Sequence, residues 1–175
     1  MTSQNVTLHP DGPYLLRRAV TRLLPHAALR VESHMRERMP ATLVRLAHPA
    51  DFGRAAVESV GGTPTWWRAA KEREHHRRIA RDAQGLTVPT AHGTVLVLLH
   101  IAAMRDRAQL HPTLVHELVH AVQMGRTATA ADTLARNRHH LGLEHRSRRW
   151  LADHDEAIAR DEDEAYRIEH LLTAA

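Results

Sequence analysis

The sequence predicts a compact α+β domain, in which helices combine with a small, mostly antiparallel sheet. Apolar residues recur every three or four positions through several long segments, as they do in helices that bury one face. Between those segments lie short apolar runs with the length of strands. The chain has 175 residues, of which 43% are hydrophobic, and this suits a single domain with its own core.

The first half of the chain is expected to contribute mainly helices. Residues 1–13 carry little pattern and are predicted to form an N-terminal arm, followed by one domain over residues 14–175. Helical spacing over residues 14–38 is interrupted at Pro25, which predicts two helices or one kinked helix. The next predicted elements are a strand over residues 41–46, a helix over 51–60 closed by Gly61-Gly62, and a helix over 67–83.

The second half is expected to complete the sheet and to add three helices. Strands over residues 86–88 and 94–100 are predicted, joined by a turn. Proline loses no useful donor at a first helical turn, so His111-Pro112 is expected to start a helix that runs to Met124. The remaining predicted elements are a helix over residues 127–138, a loop over 137–148 and a long final helix over 150–172.

The composition excludes several kinds of site. The chain has no cysteine, which rules out disulfides, zinc fingers and other thiolate sites, whereas its 16 histidines suit metal binding. The net charge of +4 comes almost entirely from arginine, and it leaves a nucleic-acid partner open without favouring it. The longest apolar run, residues 95–99, is too short to span a bilayer, and no signal-peptide pattern is present. A cytoplasmic protein without a membrane partner is therefore expected.

A metal-binding pattern lies in the first helix of the second half. It reads His116-Glu117-Leu118-Val119-His120, and histidines four positions apart on a helix point the same way, so both imidazoles can reach one cation. Glu117 would lie beside that cation and take a proton from a bound water. The alternative is two solvated histidines that form the pattern by chance. The rest of this helix is apolar, which favours a buried metal site, because buried histidines are costly without partners.

Zinc bound by such a pattern needs a third protein ligand and an open fourth position for catalysis. Glu162 is our prediction, since it lies about 40° from the centre of an apolar stripe on the final helix, and a core-facing carboxylate needs a cation. That stripe consists of Leu151, Ile158, Ala165 and Leu172. His116, His120 and Glu162 are therefore predicted to hold Zn²⁺. Glu169, which lies nearer still to the stripe, and Glu144, in the predicted loop, are the alternatives for the third ligand.

These residues resemble the gluzincin pattern, in which a helical HExxH pairs with a downstream glutamate in an E-x-x-A setting. The matching runs are 116–123 and 162–165, with Glu162 at the first position of the second run. Gln123, after the second histidine, is similar to its counterpart in compact bacterial zincin domains linked to contractile injection systems and toxins. The resemblance covers roughly the last half of the chain. It implies a zincin-like fold and zinc-dependent hydrolysis of a peptide or protein substrate, with Glu117 as the base. It also implies either a cytoplasmic peptidase or a bacterial effector delivered to another cell, with an inhibitor or delivery partner that the sequence does not identify.

Other residues carry weaker expectations. Tyr166 lies on the edge of the apolar stripe and would donate to the oxyanion, as a tyrosine or histidine often does in zincins; simple packing of its ring is the alternative. Trp66-Trp67 is expected to anchor the core, and the charged residues 71–78 to form a solvated helix face. Two other functions stay open: a zincin-fold regulatory or binding module without general peptidase activity, and a basic nucleic-acid-binding protein.

Overall fold

The computed structural model describes residues 5–174, apart from the side chains at positions 49, 76, 78–82, 105 and 107. Its helices are α1 (Tyr14–Met35), α2 (Pro49–Ser59), α3 (Trp66–Asp82), α4 (Arg107–Gln123), α5 (Thr127–His140) and α6 (Arg148–Thr173). Its strands are β1 (Val6–Leu8), β2 (Thr42–Ala47), β3 (Gly85–Pro89) and β4 (Val95–His100). A short 3-10 helix, Ala103–Arg105, precedes α4. The predicted α+β class is confirmed.

The strands form one sheet in the order β1-β2-β4-β3. The pairs β1–β2 and β2–β4 are parallel, whereas β3–β4 is antiparallel. The sheet is therefore mixed, where the sequence led us to expect mostly antiparallel pairing. The difference arises because β2 and β4 are connected through α2, α3 and β3, a crossover long enough to return the chain in the same direction.

Part of the expected N-terminal arm belongs to the sheet. β1 pairs with β2 in the register Val6 to Thr42, and hydrogen bonds of the main chain at Asn5 and His9 extend the pairing at both ends. The side-chain amide of Asn5 also donates to the carbonyl of Met39 at 2.9 Å. Residues 1–4 of that arm, and residue 175 at the other end of the predicted domain, lie outside the described residues.

Two helices contain a proline away from their first turn. α1 continues through Pro25 as one helix, and burial of one face helps to offset the lost hydrogen bond. The buried residues of that face are Val20, Leu24, Ala27, Ala28 and Val31. α4 starts at Arg107, before the predicted start at His111-Pro112, because Asp106 caps it: the Asp106 carboxylate accepts from the amide of Ala108 at 2.9 Å. Pro112 consequently lies inside α4.

The sheet has apolar residues on both faces. Val97 and Leu99 of β4 join the main core with α1, α4 and α6, while Leu98 between them packs with Ala47 and Phe52 on the α2 side. This arrangement places α4 between the sheet and α6. None of the helices within residues 5–174 has the length and apolarity to cross a lipid bilayer.

The two adjacent tryptophans are not core anchors. Trp66 and Trp67 are 81% and 50% exposed at the start of α3. α3 packs closely on α2, since a Cβ at Gly53 would lie 2.4 Å from the main-chain oxygen of Arg73. Large indole rings remain outside this contact, and the guanidinium of Arg68 covers the Trp67 ring at 4.9 Å.

Candidate metal centre

Three predicted ligands come together where α4 packs on α6. The Nε2 atoms of His116 and His120 are 3.1 Å apart, and each lies 3.5 Å from a carboxylate oxygen of Glu162. One ligand atom from each residue lies within 4.8 Å of the others. The helical spacing of the histidines sets the first distance, and the packing of α6 brings Glu162 to face them.

The donor set suits a cation. Two atoms that each lie about 2.1 Å from a tetrahedral zinc are about 3.4 Å apart, which is close to the separations seen here. Each imidazole also uses its other nitrogen: Nδ1 of His116 contacts Glu169 Oε2 at 3.0 Å, and Nδ1 of His120 contacts Gln123 Oε1 at 2.8 Å. Both partners are acceptors, so both Nδ1 atoms donate, and a neutral imidazole in this arrangement turns the lone pair of Nε2 towards the Glu162 carboxylate. This convergence of acceptors calls for a positive charge at its centre.

The pKa shifts of the protein without metal agree with this demand. Burial alone would lower the pKa of His120, but the carboxylates of Glu162 and Glu117 outweigh it and raise that pKa to about 9. Burial would also lower the pKa of His116, but the carboxylates of Glu162 and Glu117 together outweigh it and raise that pKa. The two imidazoles hold the pKa of Glu162 well below its usual range. The site therefore stabilises positive charge, as protons or as a cation that displaces them.

Glu117 lies on a different side of α4 and faces β3. It is only 5% exposed, and its burial raises the pKa of its carboxyl. The hydroxyl of Thr87 donates to Glu117 Oε2 at 2.7 Å and lies 3.1 Å from the main-chain oxygen of the same residue. A Cβ at Gly85 would lie 2.4 Å from Glu117 Oε1, so glycine leaves the space that this carboxylate fills. The position of the second oxygen, Oε1, is thus set by its packing against Gly85.

The other predicted site residues have distinct positions. Glu169 supports His116 through Nδ1 and stands outside the group of three converging ligands. Glu144 lies apart from the group, where it forms ion pairs with Arg138 and Arg146. Tyr166 is 58% exposed, and its ring lies 4.7 Å from the His116 ring at an angle of 58°. Its ring therefore contacts a predicted ligand, while its exposure leaves the residue accessible from the solvent.

An open cleft of about 530 Å³ contains the cluster. β3, α4, α5 and α6 line it, and Glu117, Glu162 and Tyr166 are among the lining residues. The Glu162 side chain is 45% exposed, so a small molecule can reach the ligand group from the solvent. β3 is the edge strand on this side of the described sheet.

Three residues that contact the site were not predicted from the sequence. Gly85 and Thr87 lie on β3, and no local pattern indicates which strand α4 will pack against. Gln123 entered only as part of the resemblance, although its place three positions after His120 puts it on the same helix face. That spacing was a usable signal for a partner of the histidine.

Comparisons with protein-family models, with curated protein sequences and with solved structures gave no match for this chain. The gluzincin resemblance stays a prediction, and the function has to be inferred from the geometry of the site.

Proposed function

We propose that this protein is a zinc-dependent hydrolase of the gluzincin type and that it cleaves peptide bonds. The observation that carries the proposal is the convergence of His116, His120 and Glu162 beside the buried carboxylate of Glu117. Two imidazoles and one carboxylate are a common ligand set of catalytic zinc, which leaves a fourth position open. When bound, zinc would supply Lewis acidity, which polarises a carbonyl and activates water.

Glu117 would act as the general base. Thr87 occupies its Oε2 atom, so Oε1 is the oxygen available to accept a proton from water in the cleft. Its burial beside Gly85 restricts the carboxylate to one place, as a positioned base requires. The same carboxyl would then return the proton to the nitrogen of the leaving amine.

The edge strand supports a peptide as the substrate. Main-chain hydrogen bonds from His100 to Gln84 and from Thr90 to Thr94 show which residues of β3 bond to β4: every second residue does. The main-chain groups of Gly85 and Thr87 therefore point away from β4, towards the free edge. An extended peptide can pair with such an edge and lie along the cleft. Tyr166 would donate its hydroxyl to the oxygen of the carbonyl under attack.

The test is hydrolysis of a peptide library by zinc-loaded protein and by Glu117→Gln. We expect the variant to keep one zinc per chain, measured by elemental analysis, and to lose at least about 1,000-fold in kcat/KM, since the proton acceptor is gone. Glu156→Gln, an exposed acid on α6, is the matched control and should behave as the wild type.

Equal rates for Glu117→Gln and the wild type would contradict the mechanism. Stoichiometric zinc with no turnover of any peptide by the wild type would instead support the regulatory or binding module. The place of action, in the cytoplasm or in another cell as an effector, stays a prediction.

A further inference from the structure

Gln123 connects one of the proposed metal ligands to a buried polar network. It lies at the end of α4, one turn after His120, and is completely buried. Its Oε1 atom contacts Nδ1 of His120 at 2.8 Å. Its Nε2 atom donates to the main-chain oxygen of Asp161 and to Oε2 of Glu164, both at 2.9 Å and both on α6. A polar side chain with this much burial needs all of these contacts.

The contacts fix the orientation of the amide. A carbonyl oxygen and a carboxylate can only accept hydrogen bonds, so the nitrogen of Gln123 must face Asp161 and Glu164. A flipped amide would bring its oxygen against two acceptors. Oε1 therefore faces His120, and Nδ1 of that imidazole must carry the hydrogen. In the neutral imidazole, Nε2 of His120 then carries the lone pair, and this nitrogen is directed towards His116 and Glu162.

Glu164, which accepts from Gln123, is itself held by an ion pair with Arg126. Nη1 of Arg126 lies 3.0 Å from Glu164 Oε2, and Nη2 donates to Oε1 of the same carboxylate at 3.3 Å. Arg126 also donates twice to Glu37, at 3.1 Å from Nε and at 2.8 Å from Nη2. Glu37 belongs to the segment between α1 and β2. The network thus runs from the proposed ligand, through α6, to the first third of the chain.

We propose that Gln123 is a positioning residue that sets the tautomer and ring orientation of His120 for metal binding, and that its neutral amide is essential to this role. The amide accepts from His120 through Oε1 and donates to Glu164 through Nε2 at the same time, which neither a thioether nor a carboxylate can do. A carboxylate at position 123 would face the carboxylate of Glu164 and the carbonyl of Asp161 with no hydrogen to offer. The inference rests on the proposed function only in taking His120 as a metal ligand.

The test is a cycle of four proteins: wild type, Gln123→Met, Gln123→Glu, and Gln123→Glu combined with Glu164→Gln. Zinc affinity is measured by competition with a chromophoric chelator. Loss of a hydrogen-bond partner of a ligating histidine costs about 10- to 100-fold in metal affinity, so we expect that loss for Gln123→Met and at least about 10-fold for Gln123→Glu. The double variant restores a hydrogen bond between positions 123 and 164, although not the one to the Asp161 carbonyl, and should recover part of the affinity that Gln123→Glu loses.

The matched control is Gln109→Met, the same substitution at an exposed position of α4, which should bind zinc as the wild type does. Cobalt substitution adds a readout that general destabilisation does not move, since the visible spectrum reports the geometry of the ligands. If the variants do not fold, nitrogen NMR of the zinc-loaded wild type still tests the tautomer: Nδ1 of His120 should be protonated and Nε2 bound to the metal.

Several outcomes would overturn the inference. They are zinc binding by Gln123→Met as tight as that of the wild type, a double variant no better than Gln123→Glu, and coordination through Nδ1 of His120. Failure of the proposed function looks different. A wild type that binds no zinc removes the metal site itself, whereas a wild type that binds zinc and cleaves nothing removes the hydrolase and leaves the role of Gln123 intact.

Discussion

α4 meets two neighbours, and the two contact regions differ in kind. Towards α6 it presents His116 and His120, which lie against carboxylates and an amide in a polar network. Towards β3 it presents Glu117, which fits against a glycine and accepts one hydroxyl hydrogen bond. Long polar side chains make the contacts of the first region. In the second region, the main chain of β3 approaches α4 closely.

If the proposed function is correct, one helix separates two tasks. The α6 side could hold a metal ion, since it brings acceptor atoms together. The β3 side would position a single carboxylate as the base, and Thr87 donates to only one of its two oxygens. Changes on the α6 side should therefore remove the metal, whereas changes on the β3 side should affect the rate and leave the metal in place.

The largest effect should come from removing a ligand on the α6 side. We expect His120→Ala to lose stoichiometric zinc and all hydrolysis, because two ligands do not complete the site. His92→Ala, an exposed histidine in the turn between β3 and β4, is the control. Chelation of zinc from the wild type should lower Tm by roughly 5–10 °C when zinc had been present at about 100 times its Kd. A variant His120→Ala that still binds zinc as tightly as the wild type would contradict the assignment.

A smaller but selective effect is expected for Gly85→Ala on the β3 side. The added methyl carbon would lie 2.4 Å from Glu117 Oε1 and 2.6 Å from its Cγ, so the carboxylate or the strand must move. A displacement of about 1 Å can cost about 100-fold in rate, and we expect a loss of that order in kcat with unchanged zinc content. Adding Gly85→Ala to Glu117→Gln should cause no further loss. Additive losses would show that Gly85 acts on something other than Glu117.

The smallest effect is expected for Thr87→Val, which keeps the shape of the side chain and removes its hydroxyl. A single hydrogen bond is worth about 1 kcal/mol, so kcat should fall by about 5-fold while zinc affinity stays constant. Steady-state kinetics alongside a zinc titration will check both quantities. A change in zinc affinity as large as the change in kcat would contradict the separation between the two sides of α4.

Much of the α6 side could be predicted from the sequence, because it depends on helical periodicity. The spacing of His116 and His120 places them on one face, and the apolar stripe of α6 placed Glu162 near the core. The same periodicity placed Glu169 nearer still to the stripe. Its carboxylate, however, contacts Nδ1 of His116 and is not one of the three converging ligands. Which nitrogen faces which carboxylate depends on the relative translation and rotation of α4 and α6 in the folded protein. A single sequence does not contain that information.

The β3 side was largely invisible in the sequence. The strands β3 and β4 were predicted close to their observed positions, but the contact of Gly85 with Glu117 joins distant parts of the chain. The parallel pairing of β1 was missed for the same reason: three residues pair with a strand that follows a 22-residue helix. The start of α4 was predicted too late in the chain, because Pro112 was taken as a residue of the first helical turn. The N-cap residue is in fact Asp106.

A cation held between α4 and α6 would also act as a crosslink in the chain. No cysteine is present, so no disulfide can do this. His120 and Glu162 are about 40 residues apart, and a permanent link across such a loop removes about 4 kcal/mol of entropy from the unfolded chain. A metal link is reversible, and α5 lies within the loop that it closes. The lifetime of the folded chain against proteases would then depend on the supply of zinc around it.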